Sequence, residues 1–334
     1  MPIVQTSGKI NSKIALQAFT LVVGLLLLCM KFFAFFKTNS NAILTDAIES
    51  IINIVAGGFG LYSLYLASKP NDEDHPYGHG KIEFISASIE GSLILAAGIS
   101  MIIKATYNFF VPIKIGSLDI GILLIGISGA VNFLMGWMAQ KSGERNSSLT
   151  LVASGEHLKS DAYSSAGLLI GLGLIVLTKL VWLDNIVAIL MGTVIIYSGY
   201  KILKHSVAGI MDEADFDLLS KVIIHLNINR RENWVDIHNF RIIKFGEKIH
   251  IDCHTTIPWF FNAHEVHNEL KLVEENIQET IPNNLETFIH ADPCLPKSCK
   301  SCYKSDCSHR KGDFVRKIDW TLENVMKNEK HFVD

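Results

Sequence analysis

The sequence predicts a membrane domain of six helices followed by a small soluble α+β domain, and three observations carry that prediction. Charge is divided unevenly along the 334 residues. Positions 1–210 hold 14 Lys/Arg and 12 Asp/Glu, so 26 of 210 are charged, about 12%; positions 211–334 hold 16 and 21, so 37 of 124, about 30%. The first share is far below the roughly 25% of an ordinary soluble domain and the second is close to it. The charge-poor part also contains six mainly apolar stretches of about 20 residues or more, each long enough to cross a hydrocarbon core as a helix. After about residue 214 the pattern turns to short helical and alternating strand periods. Neither part is strongly basic, at +2 and −5, which argues against a nucleic-acid partner. An apolar content of 49% excludes disorder over most of the length.

The spans lie at about 14–36, 41–66, 84–109, 117–140, 148–178 and 181–203, within a transmembrane domain of 14–210 preceded by a short cytosolic segment, 1–13. The first is too long for the apolar core of a signal peptide, about 7–15 residues. Six spans place both termini on one side of the bilayer. With that side inside, Lys9, Lys13, Lys69, Lys81, Lys141, Arg145, Lys201 and Lys204 are internal, against Lys37, Lys114 and Lys179 outside. Positive loops stay cytoplasmic, so the expectation is a multi-pass protein of the cell (inner) membrane with cytoplasmic N- and C-termini.

In the soluble part, 214–226 reads as a helix, and 236–244 and 248–257 as strands around Phe245, Gly246 and Glu247. The second strand puts Ile249, Ile251, Cys253 and Ile257 on one face and His250, Asp252 and His254 on the other. Asn262 is a candidate cap for a helix with the apolar stripe Val266, Leu270, Val273 and Ile277. A third strand follows at 285–291. This α-β-β-α-β order over 211–293 makes a compact α+β domain, and a Cys-rich tail, 294–334, completes the chain.

Ionisable side chains cost at least about 2.5–3.5 kcal/mol at mid-bilayer, so those inside spans are functional candidates. The second span carries Asp46, Glu49 and Asn53; the fifth carries Glu156, His157, Lys159 and Asp161. Glu49 and Asn53 are four residues apart, as are His157 and Asp161, so each pair shares a helical face. At a rise of about 1.5 Å per residue, the two pairs lie about 12–20 Å into the bilayer from opposite surfaces. One imidazole and three oxygens meeting at that depth can hold a divalent cation in a tetrahedral shell. Asp46 and Glu156 are expected to be solvated or supporting groups. The loop after the second span gathers Asp72, His75 and His79 beside a membrane mouth.

Together these residues resemble the cation diffusion facilitator family of metal-exporting membrane proteins. Leu44, Thr45, Asp46, Glu49 and Asn53 look like its second span. Asp72, His75, Pro76, Gly78, His79, Gly80, Lys81 and Glu83 look like its loop signature, and His157 with Asp161 like its fifth span. The stretch Ile289, His290, Ala291, Asp292 and Pro293 is similar to its C-terminal metal-binding domain. The resemblance implies a six-helix membrane domain joined to a ferredoxin-like cytosolic domain, working as a homodimer. It also implies a transport site at Glu49, Asn53, His157 and Asp161, a loop site at Asp72, His75 and His79, and a cytosolic, interfacial site at His238, His254, His264, His290 and Asp292. Two positions depart from the family pattern, which usually has His or Asp where Glu49 stands and Asp where Asn53 stands. An amide in place of a carboxylate removes one negative charge and one proton acceptor. Zinc is the first expected cargo; one imidazole with three oxygens is less zinc-selective than a nitrogen-rich set and leaves iron, manganese and cobalt open, and cadmium is a further possible cargo. Metal would leave the cytosol by alternating access, in exchange for protons carried by His157, Glu49 and Asp161.

The resemblance does not reach Cys294, Cys299, Cys302 and Cys307, which are followed by His309. In a cytosolic tail disulfides are disfavoured and this spacing points to metal thiolates. A structural four-sulfur zinc site is the first expectation, with an iron–sulfur cluster or redox-active thiols as alternatives. Cys29, in an apolar stretch, is expected only to pack. A membrane metalloenzyme would need a hydrolytic constellation such as H-E-x-x-H, and the sequence contains none, so no enzymatic activity is expected. A non-transporting metal sensor or scaffold of the same fold is the rival, and Asn53 keeps it open.

Overall fold

Six helices of 27 to 35 residues build the first part of the chain: α1 (Val4–Thr38), α2 (Asn41–Ala67), α3 (Ile82–Phe110), α4 (Asp119–Arg145), α5 (Leu149–Thr178) and α6 (Trp182–Ile210). The computed structural model describes residues 4–38, 41–110, 119–178, 180, 182–246, 248–281 and 285–333; the side chains of 4–11, 34, 35, 37, 38, 41–49, 119–122, 168, 172, 175, 176 and 184 lie outside that description. The chain divides into two units, Met1–Met211 and Asp212–Asp334. At about 1.5 Å per residue even the shortest of the six helices is about 40 Å long, more than a hydrocarbon core of about 30 Å. Among the described residues, five helices, α1 to α4 and α6, contain stretches long and apolar enough to cross a membrane.

Lipid supplies no hydrophobic drive between helices, so close backbone approach through small residues must supply van der Waals contact. Helix α3 packs along α6 and α4 along α5 in this way. A Cβ at Gly98 would lie 3.0 Å from the carbonyl oxygen of Gly192, and one at Gly199 only 2.8 Å from the nitrogen of Leu95. On the other seam, a Cβ at Gly136 would stand 2.7 Å from the carbonyl oxygen of Gly155. Polar groups inside the unit satisfy one another: Gln17 of α1 donates to the Gly57 carbonyl (3.2 Å) and to Ser154 Oγ (3.1 Å), and Ser154 donates to Glu90 Oε1 (2.6 Å). Glu83 accepts in the same manner from Ser148.

The second unit contains α7 (Phe216–Ile228), β1 (Asp236–Phe245), β2 (Lys248–Ile257), α8 (Ala263–Thr280), β3 (Leu285–Pro293) and a short α9 (Leu322–Val325). The strands form one sheet in the order β1-β2-β3, antiparallel between β1 and β2 and parallel between β2 and β3. This is the predicted α-β-β-α-β order. The hairpin turns at Gly246, whose φ of 64° is one that side chains with a Cβ rarely adopt. Asn262 caps α8 through a capping box with Glu265. The core joins Leu219, Val222, Trp234, Phe240, Ile251, Cys253, Val273 and Ile277. Part of the 294–334 segment belongs to that core, since Trp320 and Val325 are buried in it. The Arg230 guanidinium, donating to the Trp234 and Ile318 carbonyls, ties that segment to the loop before β1. On α8 the buried face includes Glu269, which the apolar stripe did not foretell; it accepts from Asn233 (2.7 Å) and Trp234 Nε1 (2.9 Å).

Two outcomes follow. Gly136→Ala forces α4 and α5 apart against backbone atoms and lowers the melting point in detergent, at a cost of about 1–3 kcal/mol. Asp215 caps α7 by accepting from the Leu218 N–H at 2.9 Å and pairs with Lys244. Burial raises its carboxyl, but Lys244 and the Leu218 N–H outweigh that and hold it below its ordinary 3.8. Its stabilisation is therefore present above about pH 3.8 and fades as pH falls through the depressed value. Asp215→Ala removes about 1 kcal/mol at neutral pH, read as faster amide exchange in the first turn of α7.

Candidate metal centres

Asn53 of α2 lies between His157 and Asp161 of α5. Its side-chain oxygen is 2.8 Å from His157 Nε2, and its amide nitrogen donates to Asp161 Oδ2 at 2.7 Å. An ionised Asp161 can only accept, so the NH2 must face it and the amide oxygen must face the imidazole. Nε2 of His157 therefore carries the proton in this arrangement. The three residues line a cavity of about 70 Å³ that also meets Gln17, Lys31 and Glu90. Glu49 stands one turn before Asn53 on α2, and its side chain, like that of Asp46, lies outside the described residues. On α5, Glu156 and Lys159 pair with each other at 3.1 Å, and Lys159 also donates to Gln140 of α4.

The loop residues Asp72, His75 and His79 turn their donor atoms to within 4.8 Å of one another. His75 Nδ1 is 3.0 Å from Asp72 Oδ1, and His79 Nε2 is 3.2 Å from Asp72 Oδ2. The turn that allows this passes through Gly78, at φ 86°, whose N–H donates to the His75 carbonyl. Desolvation raises the Asp72 carboxyl, but hydrogen bonds from the His75 backbone and ring, with the charges of both histidines, hold it below its ordinary value.

In the second unit the register sets His238 opposite His254 and His254 opposite His290, a row of imidazoles across three strands. His238 Nε2 and His254 Nδ1 both approach Asp292 Oδ2, at 3.3 and 3.1 Å, and the three donors fall within 4.8 Å of one another. The His290 ring lies beside that of His254, centres 4.7 Å apart and tilted by 45°, but is exposed and outside that group. His264 is exposed in the first turn of α8 and is not brought to it either. Burial raises the Asp292 carboxyl, yet His254 and Lys330 together depress it. Behind His238, Asp236 lies 3.3 Å from its Nδ1 and accepts from His331 Nδ1 at 2.7 Å.

Residues 17–211 match the family described as the cation efflux transmembrane domain, and 219–294 the cation efflux protein cytoplasmic domain. The chain belongs to the cation efflux family, the cation diffusion facilitators. Among its relatives, metal tolerance protein C1 of Arabidopsis thaliana is 26% identical over 97% of this chain and 72% of its own. The cadmium, cobalt and zinc/H(+)-K(+) antiporter of Bacillus subtilis is 25% identical over 86% and 94%, and the cation-efflux pump FieF of Salmonella arizonae 26% identical over 89% and 98%. This member is thus a multi-pass membrane protein and a divalent metal cation transporter, of a family that is not a class of enzymes.

Some residues around these centres in this transporter escaped the sequence reading. Glu90 reaches the Asn53 cavity from α3, and its Oε2 is buried with no hydrogen-bond partner among the described residues. The signal was present, since a lone carboxylate inside an apolar run obeys the rule that singled out Asp161. Asp236, Lys330 and His331 support the cytosolic group across 95 residues of sequence, and no local spacing announces them. In chelator-treated protein, Asn53→Ala removes both hydrogen bonds of the α2–α5 bridge, to His157 and to Asp161. The expected loss is about 1–3 kcal/mol, measured as a lower melting temperature in detergent.

Proposed function

We propose that this cation efflux family member exports a divalent transition metal from the cytosol in exchange for protons, with zinc as the first cargo. The observation that carries this reading is the meeting of Asn53, His157 and Asp161 on a cavity inside the helical unit. A metal ligand must be deprotonated. An ion arriving from the cytosol must therefore take Nε2 of His157 out of its bond to Asn53 and displace its proton. Asp161 and Glu49 supply two negative charges against the ion's two positive ones, while the Asn53 oxygen adds a neutral donor. When protons arrive from the acidic outer side, His157 and a carboxylate take them up, the Asn53 bridge closes again and the ion leaves. Helices rocking about this midplane site give alternating access.

The naming of the Bacillus subtilis relative as a cadmium, cobalt and zinc/H(+)-K(+) antiporter supports both the cargo class and the coupling. Asp72, His75 and His79 form a second metal-binding group beside the helical unit. The cytosolic group, His238, His254 and Asp292, with His264 and His290 added across a homodimer interface, acts as a metal-loaded clamp that shifts the population of transport states. The dimer finds support in the match of 219–294 to a cytoplasmic domain family whose short name denotes a dimer. Both termini face the cytoplasm on the distribution of lysine and arginine.

Proteoliposomes loaded with metal- and pH-sensitive dyes test the proposal. Zinc uptake with countermovement of protons is expected, abolished in Asp161→Ala and sharply reduced when the pH gradient is collapsed. Uptake by Asp161→Ala equal to the unmodified chain would overturn the site, and flux indifferent to the gradient would overturn the exchange. If the unmodified chain moves no ion of a divalent panel while binding zinc, the protein is a sensor. Asp236→Asn should lower metal affinity at the cytosolic group by about 10–100-fold, through the loosened orientation of His238, in a chelator competition.

A further inference from the structure

Four cysteines near the end of the chain have no part in the transport scheme. Cys294 follows β3 directly, Cys299 lies in the 3₁₀ turn Pro296–Lys300, and Cys302 and Cys307 come soon after. All four are free of disulfides and line one cavity of about 300 Å³, walled on its apolar side by Trp259, Phe260 and Leu295.

The separation of the sulfurs decides what such a cavity holds. A single zinc ion, with Zn–S of about 2.3 Å, draws four sulfurs to about 3.8 Å of one another. Among the described residues, the groups of three donors that converge within 4.8 Å are the Asp72 and Asp292 groups, and no three of these sulfurs form one. All four cysteines nonetheless line one and the same cavity. A cavity of about 300 Å³ lined by four cysteines, no three of whose sulfurs lie within 4.8 Å, has room for more than one ion. In a four-iron cluster each thiolate binds a different iron, so the sulfurs stand further apart than around one ion.

A backbone donor supplies a second, independent observation. The Lys311 N–H donates to Cys299 Sγ at 3.4 Å. N–H bonds to the ligating sulfurs stabilise their negative charge and help to set a cluster's potential. Arg310 closes the ligand loop by donating to the carbonyls of Cys299 (3.0 Å), Cys302 (3.0 Å) and Lys304 (2.7 Å), which brings a fixed positive charge beside the thiolates.

The geometry points to a [4Fe–4S] cluster bound by Cys294, Cys299, Cys302 and Cys307, in place of the single zinc ion that their sequence spacing first suggests. Two ferrous and two ferric ions with four sulfides enter as the four thiols give up their protons, so the cluster forms with no further oxidant or reductant. The cluster clamps one end of the sheet. Cys294 bonds through its N–H to the Ile257 carbonyl at the end of β2, and it stands two residues from Asp292. Cluster occupancy thereby fixes the strand ends that carry the cytosolic metal group.

The test uses the full chain, purified without oxygen in detergent and reconstituted with equal amounts of ferrous and ferric iron and with sulfide, in the presence of equimolar zinc. Expected are four irons and four acid-labile sulfides per chain, a broad brown visible absorption, and an EPR signal on reduction with dithionite. The double variant Cys299→Ser, Cys302→Ser should lose nearly all iron and sulfide, while Cys29→Ser, altered in α1, keeps both. The stoichiometry of the unmodified chain remains decisive even if the double variant fails to fold. One zinc per chain without labile sulfide overturns the assignment, as does a two-iron, two-sulfide stoichiometry or a colourless chain with four reactive thiols. None of these outcomes touches the transport scheme, whose own test lies at Asp161.

Discussion

A polar group set among lipid-facing helices has little water to turn to, and the amide of Asn53 shows how that constraint organises this protein. The amide accepts from the imidazole of His157 and donates to the carboxylate of Asp161, so two costly side chains on α5 are held by one residue of α2. The same need runs through Gln17, Ser154 and Glu90, which link α1, α5 and α3 beside the same cavity. Such bonds are worth little net when made and much when broken. Glycine seams along α3–α6 and α4–α5 let those helix pairs approach closely.

In the soluble unit the organising constraint is strand register. With β1, β2 and β3 side by side, His238, His254 and His290 fall into one row, and Asp292 lies two residues beyond His290. The opposite face of β2 sends Ile251 and Cys253 into the core. That alternation is why the histidines share the face away from it. Asn239, at φ 49° beside the register shift in β1, donates to the Lys327 carbonyl, so the irregularity is anchored by the segment that follows β3. That segment supplies His331 and Lys330 to the neighbours of His238 as well as Trp320 to the core.

Much of this was legible from residue order because the chemistry repeats at the period of its secondary structure. Glu49 with Asn53 and His157 with Asp161 sit at a helical turn's spacing, and the alternation in β2 separates histidines from aliphatics over a few residues. Legibility failed where partners are distant in sequence. Glu269 sits where an apolar stripe was expected because Asn233 and Trp234 arrive from another element to satisfy it. His264 and His290 have ligand chemistry, yet in the described residues they stand apart from the His238, His254 and Asp292 group.

By itself the sequence determined the six helices, the small α+β unit and the types of ligand available, because apolar run length, periodicity and donor chemistry are local properties. Tertiary structure alone decided which donors meet and at what separation. Helix packing set Asn53 between His157 and Asp161, and strand pairing gathered the Asp292 group. The sulfurs make the contrast plainest. Their order along the chain is compatible with one ion or with several, and only their separation around a common cavity distinguishes the two, since a metal–ligand bond length is a requirement on distance in space.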